Sequence, residues 1–357
     1  MPHASPPSSP TEEPPSLPAL GRGMVLRVGI ALTVSIALLV LLFRAAEPQK
    51  LLEAFDAVWL PGLAAVLIVH GLSLVLRVYR WRGLLNASGC GPDASTPDRL
   101  VAQSALFGWL INLVLPARVG ELARPAMYAR GSGRPFSRVL GTSVVERVAD
   151  LATVALLGLT ALFLLPRESP VSIDFAELSG TGSAAGLSGD VRWEVLFLVS
   201  ASAAVALGGL VLLAFLARRP ETDATSQGLG GFLVRLREGF AALRSPLALV
   251  RLSGESIAIW LLEVLSVWIA LESFGLPSPI ELAGIHVVWV TLSVSVITLP
   301  FGLGVEQGAT VLLLGLWEVG AADALALSFV LSFAALAWVV PGGLWAIFAS
   351  RDRAPTP

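Results

Sequence analysis

Apolar runs, each closed by a short polar stretch, recur along almost the whole chain. Residues 24–43, 58–78, 138–165, 193–217, 252–274 and 322–349 are each about 20 residues or more, enough for a helix to cross roughly 30 Å of hydrocarbon. Three other apolar runs, 100–115, 282–299 and 307–320, are too short for a comfortable crossing. The pattern predicts an all-α polytopic membrane protein, with about 7–8 transmembrane helices plus re-entrant or broken short helices. Residues 1–23 are Pro- and Ser-rich without periodicity and read as a disordered tail. Residues 24–350 read as one transmembrane unit, followed by a tail at 351–357.

Composition agrees. The 357 residues are 55% hydrophobic and only 14% charged, with a mean hydropathy of +0.77, whereas soluble domains carry roughly 25% charge. A net charge of −2 gives no field for nucleic acid. The single cysteine, Cys90, excludes an internal disulfide, and the widely spaced histidines form no metal constellation. No metal and no cofactor is expected. Neither a nucleotide loop, a nucleophile elbow nor a metal motif is present, so a soluble enzyme finds no support.

The arginines set the expected topology. Arg80, Arg82 and Arg99 precede the short run 100–115, and Arg118, Arg124, Arg130, Arg134 and Arg138 follow it. The positive-inside rule puts both flanks on the cytoplasmic side, which makes this run re-entrant. Residues 166–192, with Glu168, Asp174, Glu177 and Asp190, read as an extracytoplasmic loop. In 218–251, Phe232, Leu233, Leu236 and Phe240 recur at helical spacing and predict a cytoplasmic amphipathic segment on the membrane surface. Both termini fall on the cytoplasmic side.

Charge at membrane depth marks the candidate chemistry. The stretch Asn112-Leu113-Val114-Leu115-Pro116-Ala117-Arg118-Val119-Gly120-Glu121-Leu122-Ala123-Arg124 breaks an apolar run. A helix restarting at Pro116 would bring Arg118, Glu121 and Arg124 within an arc of about 120°. Free N–H groups and two arginines would then suit an anionic group such as a lipid phosphate. The other reading is a juxtamembrane loop. Glu146, Arg147 and Asp150 share one helix face, as a structural ion-pair network or as a substrate- or proton-handling site. His70 reads as a hydrogen-bonded structural residue or a proton relay. Glu263 is either neutral or lines a polar pathway. Leu115-Pro116-x-x-x-Gly120-Glu121 is echoed by Leu299-Pro300-x-x-x-Gly304-x-Glu306 in the other half of the chain. Matched interrupted segments suggest an inverted repeat and a transporter site formed by broken helices.

Arg77-x-x-Arg80-Trp81, the Asn112–Arg124 motif, Glu146-Arg147-x-x-Asp150 and Pro300-x-Gly302-x-Gly304-x-Glu306-Gln307 together resemble the lysylphosphatidylglycerol synthase transmembrane, or flippase-like, family. The resemblance spans about residues 24–350. It implies a multi-pass protein of the bacterial inner (cytoplasmic) membrane, in a family with members linked to moving lipids between leaflets. Bifunctional members add a soluble aminoacyl-transferase region after the membrane part. This sequence stops at Pro357 without one, so lipid aminoacylation is not expected.

The expected function is transport of an anionic phospholipid or lipid-linked headgroup. Arg118 and Arg124 would hold the phosphate; Glu121, Glu146 and Glu306 would either pair with those arginines in the empty site or accept an amine or hydroxyl of the headgroup, with Asn112, Arg80, Arg147 and Asp150 in support. Pro116, Gly120, Pro300, Gly302 and Gly304 would serve as hinges. No catalytic residue is expected. The partners are membrane lipids, with a homo-oligomer or envelope-biosynthesis proteins as further candidates. Two other readings stand: a membrane enzyme acting on a lipid or polyprenyl phosphate, and a scaffold for envelope lipid or glycan assembly.

Overall fold

The computed structural model describes residues 22–94, 96–115, 118–164, 208–209, 211–218, 228–296, 299 and 302–351. These residues form helices, with no strand among them. In order they are α1 (Arg22–Ala45), α2 (Pro48–Asp56), α3 (Leu60–Ala87), α4 (Arg99–Val114), α5 (Gly120–Ser132), α6 (Phe136–Leu164), α7 (Leu229–Glu238), a 3₁₀ turn (Ala241–Arg244), α8 (Pro246–Ser273), α9 (Ile280–Val296), α10 (Val305–Gly315) and α11 (Ala321–Arg351). Among the described residues, the four helices α1, α3, α8 and α11 are long and apolar enough to cross a membrane. The predicted loop 166–192 and most of the span 193–217 lie outside the described residues; 211–218 are helical.

Antiparallel α3 and α8 form the centre. The Trp59 N–H at the head of α3 donates to the Ser273 carbonyl at the foot of α8, at 3.0 Å. An apolar core that includes Val66, Trp260, Val264, Leu271, Leu282 and Leu327 joins these two helices to α9 and α11. α8 starts at Pro246, six residues before the apolar run at 252. Ser245 explains this: it caps the helix by accepting from Ala248 N–H, and Pro246 fits the first turn, where no N–H is needed.

α4 and α5 fold into an antiparallel hairpin. A side chain on Gly131 would strike Leu100, so the start of α4 and the end of α5 are neighbours. Arg134 and Asp93 bridge the flanking loops at 2.5 Å. Nearer the tip, a Cβ on Gly120 would lie 1.9 Å from the Gly108 carbonyl oxygen. Two glycines let these backbones touch, so the hairpin closes on itself. The helix begins at Gly120 and not at Pro116, which lies outside the described residues. Arg118 therefore sits in the connecting turn, in the left-handed region with φ 52°. This also breaks the predicted common face of Arg118, Glu121 and Arg124.

α9 and α10 form a second hairpin. His286 Nε2 lies 3.0 Å from the Thr310 hydroxyl, and Trp289 Nε1–H donates to the Ala309 carbonyl at 3.0 Å. This hairpin starts where α8 ends, on the face opposite the base of α4–α5. There Phe274, after α8, and Val311 of α10 pack with Leu51 and Ala54 of α2 and Leu325 of α11. α2 itself falls in a polar stretch that predicted no element. At the second tip, Gly304 (φ 87°) lies against α1, where an added Cβ would meet the Leu38 Cβ at 2.9 Å. Pro300 lies outside the described residues. α11 runs unbroken through Pro341, where the Pro-Gly-Gly sequence predicts a kink, and Gly342 and Gly343 face Leu106 and Leu110 of α4.

Candidate functional site

The two hairpins enter from opposite faces, and their tips meet. The Arg118 guanidinium donates from the first tip to the Ser295 hydroxyl near the second, at 3.0 Å. Beside this contact lies a cavity of about 390 Å³. The first hairpin lines it with Asn112, Leu115, Arg118 and Glu121. The second lines it with Val294, Leu299, Gly302 and Glu306. His70 and Arg77 from α3, Arg147 from α6, Glu263 from α8 and Ser332 from α11 complete its polar wall. These residues come from the middle of α3 and α8, so the cavity sits at mid-height in the bundle.

Most of its charges are paired. Arg147 Nε lies 3.3 Å from a Glu121 oxygen, and the Asn112 amide donates to the other at 3.5 Å. Glu263 accepts from Ser73 at 2.7 Å and from Arg77 at 3.2 Å, and lies 3.2 Å from His70 Nδ1. Arg118 and Glu306, one from each tip, have no oppositely charged partner at ion-pair distance among the described residues. Glu306 and Glu121 also occupy the first turns of α10 and α5. Both helices thus point their positive dipole ends at the cavity region.

Behind the wall the charges continue into the protein. Fully buried Arg80 donates to Asp150 at 2.7 Å, to Ser256 at 2.8 Å and to Glu146 at 2.9 Å. Arg124 bonds the second Glu146 oxygen and stacks 3.9 Å from the Trp81 ring centre. Trp260 donates to Asp150 at 3.1 Å. Asp150 joins the two groups of charges: it lies 3.9 Å from Arg77 and 3.8 Å from Arg147.

The predicted site residues therefore divide. Asn112, Arg118, Glu121, Arg147, Gly302 and Glu306 line the cavity; Arg80, Arg124, Glu146 and Asp150 form the buried network behind it. Gly120 closes the first hairpin, and Gly304 seats the second on α1. His70, Arg77 and Glu263 were not among the predicted ligand contacts. Their signal was visible, since each is a polar group inside or at the end of an apolar run, but separations of 186 and 193 residues hide the pairing with Glu263. Ser295 and Ser332 carried no signal. Among the described residues no group of three His, Cys, Asp or Glu side chains could hold a metal ion.

Opposed re-entrant hairpins around a polar mid-height cavity define a multi-pass helical membrane protein with a broken-helix site. The chain belongs to the family described as the lysylphosphatidylglycerol synthase transmembrane region, whose model matches residues 25–343. It is 26% identical to Glycosyltransferase AglD of Haloferax volcanii over 345 residues, 91% of this chain and 51% of that protein. It is 24% identical to UPF0104 membrane protein MJ1078 of Methanocaldococcus jannaschii over 220 residues, 60% of this chain and 83% of that one. The chain thus spans about half the length of the first relative. No solved structure matches it.

Proposed function

We propose that this protein moves a lipid with an anionic headgroup between the leaflets of the cytoplasmic membrane. The observation that carries this reading is the meeting of two opposed hairpin tips at one polar cavity, with an arginine there that no carboxylate among the described residues neutralises. Arg118 and the α5 and α10 N-termini receive the phosphate. Asn112 and the paired Glu121 and Arg147 supply further hydrogen bonds. The acyl or polyprenyl chain stays in the bilayer while the headgroup crosses through the cavity. Rocking of one hairpin against the other opens the cavity to each side in turn. Arg82, Arg99 and Arg134 at the base of the first hairpin point that face, and both termini, to the cytoplasm. The paired, buried charges suit recognition rather than bond making, so we assign transport and no catalysis.

The name of the Haloferax volcanii relative favours one refinement, that the headgroup belongs to a lipid-linked sugar used in glycan assembly. Leaflet exchange in liposomes tests the main reading. The unaltered protein should speed exchange of labelled phosphatidylglycerol or a polyprenyl phosphate well above empty liposomes. Arg118→Ala should cut that rate tenfold or more, since a charge-assisted hydrogen bond contributes about 1.5–3 kcal/mol. Rates equal to empty liposomes in every case would remove the transport reading, and a chemically new lipid product would favour an enzyme.

A further inference from the structure

The charges around the cavity form a closed set. Arg77, Arg118 and Arg147 face Glu121, Glu263 and Glu306 across the lining. Behind them Arg80 and Arg124 are matched by Glu146 and Asp150. Leaving His70 aside, the described residues of the site hold as many arginines as carboxylates. A monoanionic headgroup that enters leaves it one negative charge in excess, at a depth where unbalanced charge is costly.

One proton restores the balance, and the geometry selects its acceptor. Glu121 lies against Arg147 and Glu263 against Arg77, so protonating either leaves an arginine without its partner. Glu306 is different. It has no cation at ion-pair distance among the described residues, and the Ser332 hydroxyl is its hydrogen-bonding neighbour. It can take a proton and orphan nothing. The charged or titratable groups facing it across the cavity are His70, Arg77, Arg118, Glu121, Arg147 and Glu263. Of the helices packed on α10, α11 contributes Ser332 to this wall, α1 carries Arg44 in its last turn, exposed and not part of the cavity lining, and His286 of α9 is bonded to Thr310.

Glu306 also sits beside a turn whose backbone only glycine adopts readily. It lies in the first turn of α10, just past two glycines at positive φ, Gly302 and Gly304. The Gly304 N–H donates to Gln307 at 2.7 Å, and Gln307 donates to Ser332 at 3.0 Å, which holds the turn against α11. A shift of this tip changes how much water reaches Glu306, and hydration favours the ionised form.

We propose that Glu306 takes up one proton with each anionic headgroup and releases it on the far side, so that lipid movement is coupled to the proton gradient. The proton binds a carboxylate oxygen from water and returns to water. This rests on the lipid-transport reading above, and the experiment separates the two. Liposomes hold the full-length protein, phosphatidylglycerol with a fluorescent headgroup-reporting label, and a trapped pH-sensitive dye. The unaltered protein should exchange lipid, move protons with it, and run several-fold faster when the pH gradient runs with the lipid. Glu306→Gln should abolish both the dye signal and the gradient response. Glu306→Asp, which keeps a titratable group, should retain both with a displaced pH profile, showing that the loss in Glu306→Gln is not misfolding. Lipid exchange by the unaltered protein without proton movement would overturn the coupling and leave transport standing. No exchange above empty liposomes would overturn both. Proton movement that survives in Glu306→Gln but disappears in His70→Gln would overturn the assignment to Glu306.

Discussion

Arg118 and Arg124 are alike in sequence, both spaced by three from Glu121, yet they do different work. Arg118 lies in a turn and faces the cavity, whereas Arg124 is buried between Glu146 and the Trp81 ring. Nothing local separates them. Non-glycine residues rarely adopt left-handed backbone, so the pattern places Arg118 on a helix where the turn needs it. The same burial makes Arg80 a stability residue. Arg80→Met leaves Glu146 and Asp150 each short of a partner, and breaking a buried ion pair costs about 3–5 kcal/mol. Thermal unfolding in detergent should show a large loss for Arg80→Met. A melting temperature within a degree or two of the unaltered protein would mean that the network is not what holds these helices.

At the scale of elements, the informative signal was length. The runs 100–115 and 282–299 were too short to cross comfortably, and each became one arm of a hairpin, α4 and α9. Arginine-rich flanks on both sides of the first run put its two ends on one face and gave the direction expected for it. The second had no such label, so its entry from the opposite face was legible only as a weak echo of the Leu-Pro-x-x-x-Gly motif. Cysteine labelling from either side of the membrane checks the arrangement. In a Cys90→Ser background, Asp98→Cys and Gly133→Cys should react from the same side, and Ser278→Cys from the other. Labelling of Asp98→Cys and Gly133→Cys from opposite sides would refute the first hairpin. The small amphipathic helix α2 escaped notice for a physical reason: its charges hid the two apolar positions, Leu51 and Ala54, that dock against α11.

The whole molecule brings together charges from five separate stretches, and none of those distances is written in a linear pattern. What the sequence did carry was their cost. Each charged residue inside an apolar run demanded a partner, so a shared interior was implied even though its members were not. Helix α1 adds a different consequence. It packs mainly on α10 and α11, and Ile30, Ile36, Val40 and Leu41 along it are exposed. It comes close to the backbone at Gly304, at the tip of the second hairpin. The lateral pressure of the surrounding bilayer therefore reaches the tip through α1. Liposomes made with shorter or longer acyl chains tilt such a helix to match their thickness. Exchange should accordingly show an optimum in chain length, and Gly304→Leu, which pushes α1 away, should move or flatten that optimum. On the transport reading proposed above, the bilayer would act on the machinery as well as supply its cargo.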